Sequence, residues 1–298
     1  MLLAYLSNYL VGLSLQGSPL EWRWKLGISA VPAALFFLML FGIPRSPRWL
    51  ARKGHIEEAR GVLEAIGEEN IDAELAAMNA AFQLEKQQGQ EHLFTARNRL
   101  PLFLAISIAM FNQLAGINAI LYYLNEIFAR AGFNKVSSDL QAVAIGATNL
   151  LFTMLAMSII DHVGRRTLML IGSVGTALSL AGVAAIFWTG QHERLLVWLL
   201  IGFIAAFAFS QGSVIWVYIS EVFPTAVRAR GQSLGSSTHW IMNAIISWAF
   251  PIVAAHSKPA PFVFFSAMMV LQFFVVLFFY PETKNIVLED MEKKLTTA

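Results

Sequence analysis

The stretch NQLAGINAILYY, residues 112–123, decides how the rest of the chain is interpreted. It lies inside an apolar run at 100–128, yet it carries several polar side chains. If a helix starts near Pro101, Asn112 and Gln113 lie about 17 Å along it, close to the middle of a hydrocarbon core about 30 Å thick. An amide at that depth needs a partner, which is either another helix or a ligand in a wet cavity.

A glycine in the middle of this stretch changes where its amides can point. In an unbroken helix Gln113 and Asn118 would point about 140° apart. Gly116 lies between them and allows the helix to loosen, so that both side chains can face one cavity. We therefore interpret this helix as the binding helix for a small neutral polyol.

The composition indicates a membrane protein without enzymatic chemistry. The 298 residues are 57% hydrophobic and 13% charged, whereas soluble domains are about 45–50% apolar and about 25% charged. The net charge of +2 gives no reason to expect a nucleic-acid partner. The chain has no cysteine, which excludes disulfides, thiolate metal sites and cysteine nucleophiles. No motif of a metalloprotease, nucleotide-binding loop or serine hydrolase occurs, so we expect neither an enzyme nor a cofactor or metal.

Eight apolar segments predict a multi-pass protein in a lipid bilayer. Seven of them reach the 17–25 or so residues needed to cross it, and the first, with 14, is short. The segments are 2–15, 26–43, 101–128, 138–160, 167–188, 195–219, 231–254 and 260–280.

The basic residues predict the orientation. The connections 44–100, 161–167 and 220–231, together with 281–298, hold 15 of the 21 Lys and Arg. Because basic residues concentrate on the inner side of a cell membrane, these connections and the C-terminus are predicted to be cytoplasmic.

The chain between the second and third apolar segments is the only long polar region. Apolar residues recur at helical spacing there, which predicts two or three short amphipathic helices, with a flexible linker as the alternative. The periodic positions are Ile56, Ala59, Leu63, Ile66, Ile71, Leu75, Met78 and Phe82. The six spans that follow divide into 101–188 and 195–280, as in transporters built from three-helix repeats.

Together these features resemble the sugar porter family of the major facilitator superfamily. The family's seventh helix carries QQxxGINxxxYY, which this chain matches except that Asn112 replaces the first Gln. Further signatures follow in the family's order: WRWKLG at 22–27, PRSPRWL at 44–50, DxxGRR at 161–166, ExFPxxxR at 221–228 and PETK at 281–284. Arg45 and Asn285 depart from the family, which has Glu and Gly at those positions.

The resemblance implies an all-α membrane protein of the major facilitator superfamily fold, with a complete C-terminal six-helix bundle. The implied parts are the last two helices of the N-terminal bundle (1–45), an intracellular helical domain (46–99), the six-helix bundle (100–280) and a cytoplasmic tail (281–298). About four N-terminal helices of a full-length member are expected to be missing, so the chain is interpreted as a truncated carrier.

The cytoplasmic turns carry charges that can pair across helix ends. The resemblance implies that they form a gate, while simple positive-inside anchoring is the alternative for the DxxGRR turn. The predicted gating residues are Tyr122, Tyr123, Asp161, Gly164, Arg165, Arg166, Glu221, Arg228 and Glu282.

The resemblance also extends the sugar site beyond Asn112, Gln113 and Asn118. It adds Asn149, Phe207, Trp216, His239 and Asn243. Each has a structural alternative: a helix–helix hydrogen bond for Asn149, a structural hydrogen bond for His239 and Asn243, packing for Phe207, and an interfacial position for Trp216. Trp216 follows Gly212 and Ser213, where we expect its span to unwind.

The implied function is monosaccharide transport by alternating access, with proton coupling left open. The alternative is a sugar-sensing or regulatory membrane protein that does not transport. The sequence does not determine the oligomeric state.

Overall fold

The computed structural model describes residues 2–87, 92–132, 135–224 and 227–284. The predicted Asn285 departure and most of the predicted tail lie outside these residues. Within them the chain forms helices and no strands, so the predicted all-α class is confirmed.

The described residues form fifteen α-helices and one 3₁₀ turn, Ala96–Asn98. The helices are α1 (Leu2–Ser14), α2 (Glu21–Gly27), α3 (Ala30–Leu40), α4 (Pro47–Arg52), α5 (Ile56–Ala65), α6 (Ile71–Gln87), α7 (Arg99–Leu114), α8 (Ile117–Tyr122), α9 (Leu124–Arg130), α10 (Lys135–Val163), α11 (Arg165–Thr189), α12 (Leu195–Phe209), α13 (Gln211–Val222), α14 (Arg228–His256) and α15 (Ala260–Phe279).

Seven stretches of the described chain are long and apolar enough to cross a membrane, as predicted. They are Glu21–Leu40, Ala96–Tyr122, Leu140–Val163, Arg165–Thr189, Leu195–Val222, Arg228–His256 and Ala260–Phe279. The first predicted segment forms the shorter apolar helix α1. Several spans join two helices, because the chain is interrupted inside the apolar stretch.

The chain divides into two compact units. The first comprises 1–25 and 93–298. Within it α11 packs against α12 and α15, α14 packs against α7, and α10 packs against α12 and α1. Two apolar cores fill the unit, one around Phe128 and Phe203 and the other around Tyr218 and Phe223.

Gly231 and Gly235 lie where α14 packs closely against the end of α13. A β-carbon at Gly231 would lie 2.3 Å from the ring of Phe223, and one at Gly235 would lie 2.9 Å from Ile219. The two glycines therefore allow α14 to approach the end of α13 closely.

The second unit comprises 26–92. The predicted periodic residues lie on α5 and α6, where Ala59, Leu63, Leu75 and Met78 form a small buried core with α4. Ile66, which the periodicity assigns to the same face, is exposed because α5 ends at Ala65. The apolar helix α3 buries none of its residues, which suits a helix surrounded by lipid.

Candidate functional site

The predicted break at Gly116 is present and determines where the amides point. Gly116 has φ +78°, in the left-handed region, between the end of α7 and the start of α8. A β-carbon there would lie 2.3 Å from the ring of Phe265, so both the backbone conformation and the space require glycine. The break turns Asn118 back toward Gln113, and Asn118 Nδ2 donates to Gln113 Oε1 over 3.1 Å.

Gln113 lies at the centre of a chain of hydrogen bonds. Its Nε2 donates to Asn112 Oδ1 at 3.3 Å and lies 3.0 Å from Nε2 of His239 on α14. Asn112 in turn donates to the backbone oxygen of Gln211 at 3.4 Å. The bonds thus join α7, α8, α13 and α14.

Two tryptophans flank His239. The imidazole centroid lies 5.1 Å from the ring of Trp216 on α13 and 5.2 Å from that of Trp240. His239 itself is buried, whereas Trp216 and Trp240 are 45% and 59% exposed. The cluster therefore has a buried amide side and an exposed aromatic side.

A second set of polar contacts continues along α14. Asn243 donates to the hydroxyl of Tyr122 at 3.4 Å and accepts from Ser247 at 3.0 Å. Tyr123 donates to the backbone oxygen of Ser247 at 3.3 Å and stacks on Phe250, with centroids 5.4 Å apart. Both predicted gating tyrosines therefore contact the helix that carries His239 and Asn243.

A polar cavity of about 220 Å³ adjoins Tyr122. It is lined by side chains from α1, α2, α8, α9 and α10, among them Tyr5, Asn8, Lys25 and Asn125. This cavity was not anticipated from the sequence, because its polar residues are spread over separate segments.

Asn149 and Phe207 take no part in the hydrogen-bond chain. Asn149 is half-buried on α10. Phe207 is buried in the core of the first unit, with its ring 6.2 Å from that of Phe203. Phe207 thus occupies a position typical of packing.

The predicted unwinding before Trp216 occurs two residues earlier than expected. The interruption lies at Ser210, with φ −124° and ψ −92°, and Gly212 and Ser213 belong to the first turn of α13. The Ser210 hydroxyl donates to Ala206 O at 2.6 Å, which gives the hydroxyl a partner at the end of α12. Gln211, which is not among the predicted site residues, follows this break and is buried. Its polar character inside an apolar span was the available signal.

The predicted gating acid Glu282 binds backbone groups at the turn between α10 and α11. Its carboxylate accepts from the N–H of Arg165 at 2.8 Å and of Arg166 at 3.1 Å, at the start of α11. Gly164 has φ +96°, and a β-carbon there would lie 2.5 Å from the same carboxylate. Glycine therefore allows the acid to reach the N-terminus of the helix, where N–H groups and the helix dipole favour an anion.

The arginine of this turn joins a second acid. Arg165 forms ion pairs with Asp161 at 2.8 Å and with Glu221 at the end of α13 at 2.9 Å. The other oxygen of Glu221 accepts from the Thr283 hydroxyl at 2.6 Å, a contact absent from the sequence prediction.

The other two predicted gating arginines bind backbone oxygens. Arg166 donates to Leu277 O at 2.5 Å, and Arg228 donates to Phe223 O at 3.3 Å. The ends of α10, α13 and α15 and the start of α11 are thereby held together.

The comparison with known proteins agrees with the family resemblance found in the sequence. A sequence model described as "Sugar (and other) transporter" matches residues 1–295. The arabinose-proton symporter of Bacillus subtilis is 34% identical over 96% of this chain and 64% of its own length. The D-xylose-proton symporter of Escherichia coli is 31% identical over 98% of this chain and 61% of its own length.

The solved structures agree with the sequence relatives. The inward-open xylose transporter XylE from E. coli superposes with a TM-score of 0.82 at 30% identity, covering 98% of this chain and 62% of XylE. XylE bound to 6-bromo-6-deoxy-D-glucose gives 0.78, covering 99% of this chain and 64% of the transporter. The chain thus spans somewhat less than two thirds of these relatives. It belongs to the sugar transporter family and has the fold of the major facilitator superfamily.

Proposed function

We propose that this chain serves the transport of a monosaccharide across a membrane by alternating access, without altering the sugar chemically. The observation that carries the proposal is the array in which Gln113 is bonded to Asn118 and His239 beside the exposed indole of Trp216. Amides and an imidazole offer donors and acceptors at fixed positions, and each sugar hydroxyl can both donate and accept. An indole can stack on the apolar face of a pyranose.

The proposed binding residues are those predicted from the sequence. Asn118, Asn149 and Trp216 have partly or largely exposed side chains, so they can contact a ligand without rearrangement. Asn112, Gln113, His239 and Asn243 are buried, and of these Gln113 accepts from Asn118 and His239 contacts Trp216. Phe207, although packed in the core, stays in the proposed set because the resemblance assigns it to the sugar site.

The names of the relatives favour a pentose-sized sugar and proton coupling. Two of them are named as proton symporters, one for arabinose and one for D-xylose. We extend to this chain a monosaccharide substrate and coupling to protons.

The charged cluster is proposed as the gate. Its ion pairs and backbone contacts join four helix ends on one side of the bundle, and we propose that they break when access changes. The burial of Arg165 makes each broken contact costly. We propose that Tyr122 and Tyr123 close the opposite end, where they contact α14.

The location follows from the distribution of basic residues. We propose a multi-pass protein of the cell membrane with the 46–99 region and the C-terminus in the cytoplasm. The limits 1–45, 46–99, 100–280 and 281–298 remain our proposed domains.

Binding of tritiated sugar tests the proposal directly. The purified chain in lipid nanodiscs should bind D-xylose or arabinose saturably. The Asn112→Ala/Gln113→Ala/Asn118→Ala variant should lose this binding, whereas Gln191→Ala, in an exposed loop, should keep it. If a chain of unchanged helicity by circular dichroism binds neither sugar, the proposal is overturned. If the sugar binds, uptake into proteoliposomes distinguishes a chain that transports the sugar from one that only binds it.

A further inference from the structure

A basic stripe follows the span Glu21–Leu40 directly. Its five members recur at the spacing of one helix face, and all of them are exposed: Arg45, Arg48, Trp49, Arg52 and Lys53. From residue 22 to residue 56 the sequence contains no Asp or Glu. The four positive charges of the stripe therefore have no acidic neighbour close by along the chain.

The packing of α4 turns the basic stripe away from the rest of its unit. Leu50 and Ala51 are buried in the small core that α4 forms with α5 and α6. At 100° per residue, these two positions lie on the side of α4 opposite to the stripe. Burial of the apolar side therefore leaves the basic side at the surface.

The basic stripe keeps its hydrogen-bond donors for an outside partner. In the part of the chain that the structure describes, Arg45, Arg48 and Lys53 form no ion pair. The guanidinium carbon of Arg45 lies 5.0 Å from the centre of the Trp49 ring, which is 42% exposed. This cation–π contact uses the flat face of the guanidinium and leaves the N–H groups at its edge available.

The chain places this stripe at the level of lipid headgroups. The apolar helix α3 buries none of its residues, and Phe41 and Ile43 beyond its end are exposed as well. Arg45 follows Leu40 by five residues, which reach at most about 18 Å. The stripe therefore begins where the apolar span leaves the hydrocarbon, which is also the level at which exposed tryptophans are enriched.

We propose that the basic stripe binds the headgroup of an acidic phospholipid in the leaflet at the C-terminal end of this span. Arginine N–H groups form charge-assisted hydrogen bonds with phosphate oxygens. Each basic residue beside a TM helix strengthens the attraction to anionic lipid by about fivefold. The bound lipid fastens α4, and with it the core of α5 and α6, to the membrane surface. This surface does not involve the sugar site.

Arg45 distinguishes this chain from the family that it resembles. The family has Glu at this position, and a carboxylate there would repel a phosphate. Arginine at the same position adds a donor group beside Trp49 and completes the stripe. The preference for acidic lipid is therefore expected to depend strongly on Arg45.

A single dye beside the stripe measures which lipid lies there. The chain has no cysteine, and Ser46 is exposed with no capping hydrogen bond from its hydroxyl, so Ser46→Cys provides one attachment site. In phosphatidylcholine nanodiscs, phosphatidylglycerol that carries a quencher should quench this dye at a several-fold lower mole fraction than phosphatidylcholine with the same quencher. The preference should shrink in 1 M NaCl, where the Debye length is about 3 Å. Equal quenching by the two lipids overturns the proposal.

Variants of Arg45 test whether the stripe causes the preference. Arg45→Gln should weaken it by about fivefold, and Arg45→Glu should weaken it further because the carboxylate repels the headgroup. Arg23→Gln is the matched control, since Arg23 lies 4.9 Å from the ring centre of Trp22 near the other end of the same span. It should keep the preference. An unchanged preference in Arg45→Gln, or an equal loss in Arg23→Gln, overturns the proposal.

The triple variant Arg45→Gln/Arg48→Gln/Lys53→Gln should lose the preference altogether. Circular dichroism and thermal unfolding in detergent check that it folds, and the single variants decide the question if it does not. Inorganic phosphate at constant ionic strength should leave the preference of the wild type unchanged. If millimolar phosphate abolishes it, the stripe takes a soluble phosphate, and the lipid proposal is overturned.

A second triple variant separates the stripe from the net charge of the chain. Arg23→Gln/Arg194→Gln/Lys258→Gln removes the same charge from exposed residues outside the stripe. It should quench like the wild type with both lipids. Loss of the preference in this variant as well would mean that the whole chain attracts acidic lipid, and would overturn a site at the stripe.

Discussion

Gln113 uses both hydrogens of its amide on protein partners and receives a third bond from Asn118. We therefore expect Gln113 to hold its neighbours Asn112, Asn118 and His239 in place more than to bind the sugar directly. Asn118 lies at the exposed edge of the array and Gln113 at its buried centre. Loss of either should therefore weaken binding for different reasons.

We expect Gln113→Ala and Asn118→Ala each to weaken sugar affinity by about 1–2 kcal/mol, the scale of a net hydrogen bond. Asn118→Ala removes a proposed sugar contact, while Gln113→Ala leaves Asn118 without its acceptor. Dissociation constants for D-xylose from scintillation proximity measure the effect, with Gln191→Ala as the control. Unchanged affinity in both variants would show that the sugar site lies elsewhere.

The sequence located these residues but not their partners. Amides in the middle of an apolar run are easy to recognise in a sequence, because lipid excludes unpaired polar groups. The contact of Asn112 with the Gln211 backbone and that of Gln113 with His239 join residues 99 and 126 positions apart. Such contacts depend on how helices pack, which periodicity does not encode.

At the scale of the helix, the breaks inside the apolar spans were predicted with different success. Gly116 was recognisable, because glycine adopts a positive φ at little cost. The break lies at Ser210 but was assigned to Gly212 and Ser213. Ser210 could not be recognised, because serine has no preference for an unusual backbone conformation. The interruption at Tyr123 between α8 and α9 was not foreseen.

Gly116→Ala should destabilise the chain more than Gly17→Ala. Both glycines have φ +78°, so the backbone strain is equal, at about 1–2 kcal/mol. A β-carbon at Gly17 meets nothing within 4 Å, whereas one at Gly116 meets the ring of Phe265. Thermal unfolding in detergent, followed by circular dichroism, measures the difference. Equal losses would show that Phe265 moves aside freely.

The charged cluster around Arg165 allows a similar comparison. Glu221→Gln removes the less exposed of the two carboxylates paired with Arg165, whose side chain is 9% exposed, and should cost about 1.5–3 kcal/mol, the scale of a hydrogen bond to a charged group. Asp161→Asn removes a partner whose side chain is 70% exposed, and should cost less than about 1 kcal/mol. Midpoints of thermal unfolding for the two variants test this order. Equal effects would mean that the Glu221 pair is solvated like a surface pair.

At the scale of the whole molecule, the sequence predicted the all-α class, the seven spans and the short first helix. These follow from composition and length, which the bilayer constrains strongly. The division into units of 26–92 and the remainder was harder to foresee, because it depends on contacts between distant segments.

The absence of cysteine gives a direct test of orientation. Single cysteines at Gln191 and Lys258, both exposed, should react with a membrane-impermeant maleimide added to intact cells. A cysteine at the exposed Glu68 should react only after the membrane is opened. The reason is the excess of basic residues in the connections assigned to the cytoplasm. Labelling of Glu68→Cys in intact cells would invert the proposed orientation.

The way Glu282 is bound determines which amino-acid substitutions this turn can accept during evolution. Its carboxylate accepts from the main-chain N–H groups of Arg165, Arg166, Thr283 and Lys284. Every amino acid except proline supplies that group. Neutral drift could therefore exchange the side chains on either side of the carboxylate and still leave the anchor in place. The acid itself, together with the glycine that makes room for it, has no such freedom of replacement.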